Sequence, residues 1–234
     1  MTERSRASLA RSAEHFAVGP SQLHWDGSAL TIEVDEWSNP LPRRVRGRIR
    51  VHPRGLSPRL WALDDGARHH WGPLAPSARV EVDLRQPELR WQGDGYLDSN
   101  ESSEPIERPF ASWDWSRSVL SDGGTAVVYD IRQKLGEDRL LSLRFAPDGG
   151  VTALAPERRH LLPRTFWRVA RQMRSAAAPR LVETLEDTPF YQRAVLEASL
   201  AGERVLTFHE SLDVSKLERR STRLMLPWRM PRLR

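Results

Sequence analysis

The sequence predicts an all-β fold, either a sandwich or a barrel. Three observations lead to this prediction. Several short segments of the 234-residue chain alternate between apolar and polar residues, as half-buried strands do. Turn-forming Gly, Pro, Asp and Asn residues separate these segments. A single segment has the apolar spacing of a helix.

The N-terminal part of the chain begins with a predicted strand and a hairpin. Residues 7–17 favour a strand, because Gly19-Pro20 ends the segment and a hairpin pattern follows it. Residues 23–25 and 30–35 flank the turn Asp26-Gly27, which is a common hairpin turn. We therefore expect two antiparallel strands around this turn.

Two further segments alternate strictly. In residues 45–51 the apolar positions and Gly47 fall on one face and the arginines on the other, and residues 80–84 alternate in the same way. Such patterning is typical of antiparallel strands with one buried face.

The C-terminal half contains two predicted hairpins and the predicted helix. The strands are residues 125–131 with 139–145, and residues 191–200 with 204–210, and a turn at 147–150 leads into a further strand at 151–154. Residues 165–175 predict the helix, because Phe166, Val169, Ala170 and Met173 are spaced at i, i+3, i+4 and i+7.

The composition narrows the chemistry available to the chain. Cysteine is absent, which excludes disulfides, Cys-ligated zinc and thiol nucleophiles. The net charge is +5, but the basic residues are spread along the chain instead of forming one contiguous stripe. Nucleic-acid binding is therefore not favoured, and attraction to an anionic membrane surface fits better.

The termini carry two further expectations. Residues 1–16 lack the apolar core of a secretory signal, and no apolar run approaches the ~18 residues of a spanning helix. We therefore expect a cytoplasmic protein, with peripheral association at the inner membrane left open. The basic, Trp-bearing residues 226–229 suit such docking, and packing onto the fold is the alternative.

His69-His70-Trp71 is the first candidate site. Adjacent histidines in a strand point to opposite faces and the pair lacks a third ligand, so no metal site is predicted. His69 and Trp71, however, share a face. The alternative is a surface histidine beside a core tryptophan.

Tyr96 and Asp98 have the same two-residue spacing and also share a face. A carboxylic acid beside aromatic rings in an apolar cavity loses hydration, which raises its pKa and lets it act as a general acid. The alternative is an Asx-type turn at 98–100 with an exposed aspartate.

Trp113, Trp115 and Asn100 are candidates for the lining of a substrate pocket. The two tryptophans share one strand face, with Asp114 on the other, and core packing is their alternative role. Phosphate-binding loops, HExxH and a nucleophile elbow are absent from the sequence. The residues alone therefore indicate an all-β protein with an aromatic cleft that carries a carboxyl group.

The chain resembles the carotenoid 1,2-hydratase (hydroxyneurosporene synthase) family of carotenoid-making bacteria. The resemblance covers essentially the whole chain, and its most specific part is GYLDSN followed by WDWSR. The matching stretches are GPSQLHWDGSALTIEVDE, RVRGRIRVHP, GYLDSNESSEPIERPFASWDWSRS and FHESLDVSKLERRSTRLMLPWRMP.

This resemblance implies a fold, a reaction and a set of catalytic residues. The fold would be two consecutive lipocalin-like antiparallel barrels with one short helix in the second. The reaction would be cofactor-free addition of water across the terminal C1–C2 double bond of acyclic carotenoids such as neurosporene and lycopene. The family's His-x-Trp and Tyr-x-Asp pairs match His69 with Trp71, and Tyr96 with Asp98.

The start of the chain departs from the family pattern. The opening residues match an internal stretch of the family, so we expect an incomplete first barrel at residues 1–107 and a second barrel at residues 108–234. A shortened gene or a mis-assigned start codon would account for this.

The mechanism implied by the resemblance starts with protonation of the alkene by Asp98. Trp71 and Tyr96 would face the resulting cation, and His69 would take a proton from water. Three alternatives stay open: a non-catalytic lipocalin-like binder of an apolar ligand, a cyclase or isomerase that begins with the same protonation, and an inactive fragment.

Overall fold

The computed structural model describes residues 4–38 and 41–229, which form mostly antiparallel strands. The all-β prediction is therefore confirmed. Contacts group the chain into two compact units. The first comprises Met1–Arg54, Ala78–Tyr96 and Arg223–Arg234, and the second comprises Gly55–Ser77 and Leu97–Thr222. The barrel boundary predicted between residues 107 and 108 stays a prediction.

Eight strands of the described residues form one sheet. They are β1 (Leu9–Arg11), β2 (His15–Val18), β3 (Ser21–Trp25), β4 (Leu30–Trp37), β5 (Arg44–Pro53), β6 (Trp61–Ala62), β7 (His69–Gln86) and β8 (Glu88–Ser102). Their order is β1-β2-β3-β4-β5-β7-β6, and β8 pairs with β7. The predicted strands at 30–35, 45–51 and 80–84 all lie within this sheet.

Strands β4 and β5 pair their polar faces by charge. Glu33 lies opposite Arg48 in the register, and their side chains form an ion pair at 2.6 Å. Asp35 lies opposite Arg46 and also pairs with Arg44 at 2.7 Å. Opposite charges across neighbouring strands favour this register over a one-residue slip, which would turn the arginines toward the apolar side.

A second sheet of seven strands is formed in the described residues by the C-terminal half. It contains β9 (Phe110–Val119), β10 (Thr125–Gln133), β11 (Arg139–Phe145), β12 (Val151–Ala153), β15 (Arg180–Asp187), β16 (Tyr191–Leu200) and β17 (Glu203–Asp213). The order is β12-β11-β10-β9-β17-β16-β15. A small hairpin of β13 (Arg159–Leu161) and β14 (Gln172–Arg174) stands beside it. The predicted hairpins β10–β11 and β16–β17 are confirmed.

The helix predicted at residues 165–175 is wrong. Arg168 has a positive φ of 56°, which interrupts helical geometry, and Met173 pairs with His160 in the β13–β14 hairpin. Val169 and Met173 are buried, but Phe166 is 85% exposed, so these residues do not form one helical face. The β-branched and aromatic residues of this segment also favour extended backbone.

Two short helices follow β17. They are α1 (Val214–Leu217) and α2 (Arg220–Arg229). Neither helix in the described part of the chain has the length and hydropathy of a membrane span. The backbone of residues 226–229 lies in α2, whereas their side chains, and with them the predicted docking role, lie outside what the structure describes.

The two faces of the second sheet carry different side chains: aromatic residues on one face, and on the other an apolar core that becomes polar at one end. The register pairs Trp113 with Ile131 and Trp115 with Tyr129, so these residues share one face. The opposite face carries an apolar core, which includes Val128, Ala194 and Leu196. At one end of that core the residues become polar, because Asp114, Ser211 and Gln192 stand side by side on β9, β17 and β16.

Asp114 is the most strongly perturbed acid in this polar cluster. Ser211 Oγ donates a hydrogen bond of 2.6 Å to Asp114 Oδ1, and the Gln172 N–H donates one of 3.2 Å. Burial nevertheless raises the pKa of Asp114 to about 7. The nearby His209 is fully buried, and burial lowers its pKa to about 4. Loss of hydration therefore favours the neutral form of both groups.

We expect Asp114→Asn to stabilise the protein increasingly as the pH rises. The raised pKa of Asp114 means that the folded state holds this proton up to about pH 7, whereas the unfolded state releases it near pH 4. The native protein therefore loses stability as the pH rises from about 4 to about 7. The asparagine variant does not, because asparagine does not titrate. The difference in unfolding free energy should grow by on the order of a few kcal/mol between pH 5 and pH 8. Urea unfolding at several pH values measures it.

Asp122→Asn provides a control of opposite sign. The Gly124 N–H and Arg144 hold the pKa of Asp122 below its ordinary value, so its carboxylate stabilises the fold above the unfolded pKa. Its replacement should therefore destabilise the fold at neutral pH. A difference between Asp114→Asn and the native protein that stays constant with pH would contradict the account of Asp114.

Candidate active site

The predicted site residues Trp71 and Asp98 are joined directly. Trp71 is fully buried, and its Nε1–H donates a 2.8 Å hydrogen bond to Asp98 Oδ2. Asp98 is half-buried in β8. The aspartate is therefore neither in an exposed Asx turn nor fully sealed, and one of its oxygens is held by an indole.

Trp71 lies within a cluster of aromatic rings. Its ring centroid is 5.6 Å from that of Trp61, 5.8 Å from Tyr129 and 6.3 Å from Phe145. The contacts with Tyr129 and Phe145 are edge-to-face, a favoured geometry for aromatic pairs. Both residues belong to the aromatic face of the second sheet. The aromatic face of the second sheet therefore packs against the Trp71 ring.

His69 is connected to the same cluster through further rings. Its imidazole lies 4.9 Å from Phe110, which contacts Trp113 at 5.8 Å, and Trp113 contacts Tyr129 at 6.2 Å. Trp113 thus belongs to this aromatic cluster, and its pocket-lining role stays a prediction. Since His69 and Trp71 alternate in β7, both side chains are buried on the same side of the strand.

The two ring nitrogens of His69 have different surroundings. Nε2 lies 3.1 Å from the carbonyl oxygen of Glu104, and because a carbonyl only accepts, Nε2 carries the hydrogen. In the neutral ring, Nδ1 then holds a lone pair. Within the described residues this buried Nδ1 has no hydrogen-bond partner. Its acidic neighbour is Asp64, whose Oδ1 lies 3.5 Å away.

Asp64 is held in place by backbone groups. It accepts hydrogen bonds from the N–H of His69 at 2.8 Å and of Arg68 at 3.1 Å. Burial alone would raise the pKa of Asp64, but these bonds and the His69 ring hold it below its ordinary value. A negative charge therefore stands beside Nδ1, where it would stabilise an imidazolium.

Three side chains are close enough to one another to be considered as a metal site. They are Asp64, His69 and Glu104, whose ligand atoms lie within 4.8 Å of one another. The donors are already engaged, however. Glu104 Oε2 accepts from Arg68 at 3.0 Å and from Arg108 at 3.2 Å, and Asp64 accepts from two backbone N–H groups. This arrangement fits a hydrogen-bonded support for His69 better than a cation site.

The remaining predicted site residues differ in their burial and contacts. Tyr96 is half-buried in β8, two residues before Asp98. Trp115 is buried and its ring contacts Phe208, at 6.4 Å. Asn100 is exposed near the end of β8. Catalytic and pocket-lining roles stay predictions for these three residues, as they do for the other predicted site residues.

Asp64 and Tyr129 were not predicted from the sequence. Tyr129 is buried, and burial together with the charges of Asp98 and Glu210 raises its pKa well above the ordinary range, so its hydroxyl stays neutral. Its position opposite Trp115 could have been found by pairing the predicted strands. Asp64 is the first residue of the turn Asp64-Asp65-Gly66 just before His69, and such turns often place a carboxylate on nearby backbone N–H groups.

Similarity to known proteins extends over the whole chain. Residues 1–234 match the family described as carotenoid hydratase CrtC. Proteins named acyclic carotenoid 1,2-hydratase are 51% identical in Rubrivivax gelatinosus and 48% identical in Thiocapsa roseopersicina. These alignments cover 99% and 100% of this chain, and 58% of each relative. The chain thus spans a little over half the length of these relatives.

A solved structure supports the predicted fold. A Nitrosomonas europaea protein assigned as an AttH has a TM-score of 0.60 over 90% of this chain and 73% of its own, at 13% identity. This likeness supports the lipocalin-like, all-β architecture and nothing about activity. From the match over its full length, the chain belongs to the carotenoid hydratase CrtC family.

Proposed function

We propose that this chain adds water across the terminal C1–C2 double bond of acyclic carotenoids. The relatives named acyclic carotenoid 1,2-hydratase support this proposal, and the observation that carries it is the Trp71–Asp98 hydrogen bond inside an aromatic cluster. A hydrocarbon substrate offers no polar handle, so an apolar wall with one acidic group suits it. The substrate class and reaction are proposals for this chain.

The first step is proton transfer from Asp98 to C2. The Asp98 O–H bond breaks, the C1=C2 π pair forms the new C2–H bond, and C1 becomes a tertiary cation. Trp71 donates to Oδ2, so in this arrangement the proton is carried on Oδ1. As the carboxylate forms, the same N–H stabilises the developing charge, because hydrogen bonds to ionised acceptors are stronger than those to neutral ones.

Aromatic rings stabilise the cation at C1. Indole and phenol faces attract cations by roughly 0.5–2 kcal/mol each, and more where water is excluded. Trp71 and Tyr96 are the residues assigned to this role. Trp61, Tyr129 and Phe145 add apolar bulk around Trp71, which limits early access of water to the cation.

Water then attacks C1, and His69 accepts its proton. The lone pair on Nδ1 is the available base, and the imidazolium produced lies beside the Asp64 carboxylate at 3.5 Å. Transfer of this proton back to Asp98 through solvent restores the starting state. One water is added and no electron is gained or lost, so the reaction as written requires no redox cofactor.

Asp98→Asn should lower kcat by about a thousandfold, because general acid catalysis typically contributes 10²–10⁴-fold. The amide is nearly isosteric and still accepts from Trp71, but it has no proton to give. Turnover is measured by mass spectrometry of the product, which gains one water. In D₂O the product should carry deuterium at C2, and with ¹⁸O-water it should carry ¹⁸O at C1.

Asp94→Asn is the matched control for this variant. Asp94 is exposed in the same strand and pairs with Arg54, and the proposal gives it no part in the reaction. This control should retain activity, and Asp98→Asn should still bind the polyene, as followed by its absorbance. Hydration at the native rate by Asp98→Asn would remove Asp98 from the acid role.

His69→Gln and Asp64→Asn should both lower kcat, the first by about 10²-fold or more and the second by less. Asp64 acts through His69, so the double variant should be no slower than His69→Gln alone. The measurement is a double-mutant cycle on kcat, with near-UV circular dichroism to confirm that each variant is folded.

Asp65→Asn is the control for the cycle. Asp65 is the neighbouring residue, 62% exposed at its side chain, and it pairs with Arg139 instead of His69. It should leave kcat unchanged. Independent, additive losses from His69→Gln and Asp64→Asn would show that Asp64 does not act as the positioning residue for His69.

A further inference from the structure

The loop between β13 and β14 exposes apolar side chains that nothing in the proposed reaction uses. Leu161 is 86% exposed, Phe166 is 85% exposed and Trp167 is 43% exposed. The rings of Phe166 and Trp167 pack edge-to-face, with centroids 5.4 Å apart. Two aromatic side chains thus stand together in solvent on a loop that also exposes a leucine, and exposed apolar side chains of this kind often mark an interaction surface.

Buried residues and hydrogen bonds anchor the base of this loop. Leu162 and Val169 are buried, and Arg171 Nε donates to the Pro163 carbonyl at 2.6 Å. Asp187 Oδ2 accepts from the Phe166 N–H at 2.8 Å. Lys216 Nζ donates 2.7 Å hydrogen bonds to the carbonyls of Trp167 and Arg168. The exposed rings are therefore presented by an anchored loop.

Basic residues surround the exposed rings. Arg164 and Arg168 belong to the loop itself. Lys216 of α1 bonds to the loop, and Arg219 lies close enough to Lys216 to act on its charge. Burial, together with the charges of Arg219, Arg164 and Arg168, lowers the pKa of Lys216, although Asp213 opposes this. The two acids at the loop base, Asp187 and Asp213, accept hydrogen bonds from backbone N–H groups. The surface around the rings is thus predominantly positive.

We propose that the loop formed by residues 161–168, with Lys216 and Arg219, docks on an anionic phospholipid bilayer. Aromatic side chains flanked by Arg and Lys suit the membrane interface, where the rings enter the headgroup region and the cations meet lipid phosphates. Charge complementarity favours a bilayer with anionic lipids over a neutral one. The proposal is tied to the proposed function in one respect, since docking would bring the chain to a water-insoluble substrate.

The test measures binding of the whole chain to vesicles of phosphatidylcholine, with and without phosphatidylglycerol, by co-sedimentation. We expect binding to the anionic vesicles at low salt, and a loss of roughly tenfold or more for Phe166→Ser/Trp167→Ser. Arg164→Gln/Arg168→Gln should weaken binding and reduce its salt dependence. Leu135→Ser removes an 87% exposed leucine from the β10–β11 turn and should bind like the native chain.

Tryptophan fluorescence gives an independent readout. Anionic vesicles should shift the emission of the native chain to the blue, and Trp167→Phe should remove most of this shift. Inorganic phosphate should not produce it. Equal vesicle binding by Phe166→Ser/Trp167→Ser and the native chain would overturn the proposal. So would concentration-dependent self-association that the double variant abolishes, without vesicle binding by the native chain, because the loop would then contact a second copy.

Docking and catalysis can fail separately in this design. With detergent-dispersed substrate, Phe166→Ser/Trp167→Ser should hydrate at the native rate if the reaction assigned above is correct. Loss of vesicle binding with hydration retained supports both proposals. Vesicle binding without hydration in the native chain rejects the reaction and leaves the docking surface standing.

Discussion

The hydrogen bond from the buried indole of Trp71 to Asp98 is the contact on which the site depends. It joins β7 to β8 within the aromatic cluster. The carboxyl group is thereby held against a ring that contacts Trp61 of the first sheet and Tyr129 and Phe145 of the second. The contact therefore places the carboxyl group of Asp98 beside the aromatic rings.

The aromatic face of the second sheet exists because of strand register. Trp113, Tyr129 and Phe145 come from β9, β10 and β11, and they share a face only because these strands are paired without a shift between residues 113–119 and 125–131. A one-residue slip of a strand would turn its aromatic side chain toward the apolar core. In β9 it would also turn Asp114 toward the aromatic face. The apolar core and polar cluster on the opposite face therefore also determine the geometry of the candidate site.

Local patterns predicted most strands, and the resemblance predicted the pairs His69 with Trp71 and Tyr96 with Asp98. Spacing within one strand could not show that Trp71 donates to Asp98. The two residues are 27 positions apart, and their contact depends on how β7 and β8 lie against each other. The helix prediction failed for a related reason. Apolar residues at helical spacing in 165–175 were divided between a buried base and an exposed tip, a division that depends on tertiary contacts.

The proposed reaction places opposite physical demands on its acid and its base, and the structure gives Asp98 and His69 different surroundings. Asp98 must be neutral before it donates, and its half-buried position suits this because partial loss of hydration disfavours the carboxylate. His69 must become charged when it accepts a proton, and burial alone would oppose this. Asp64, kept ionised by backbone N–H groups, supplies the compensating charge. In this proposal Asp64 is the residue that lets a buried His69 act as a base, and it lies outside the two pairs that the resemblance predicted.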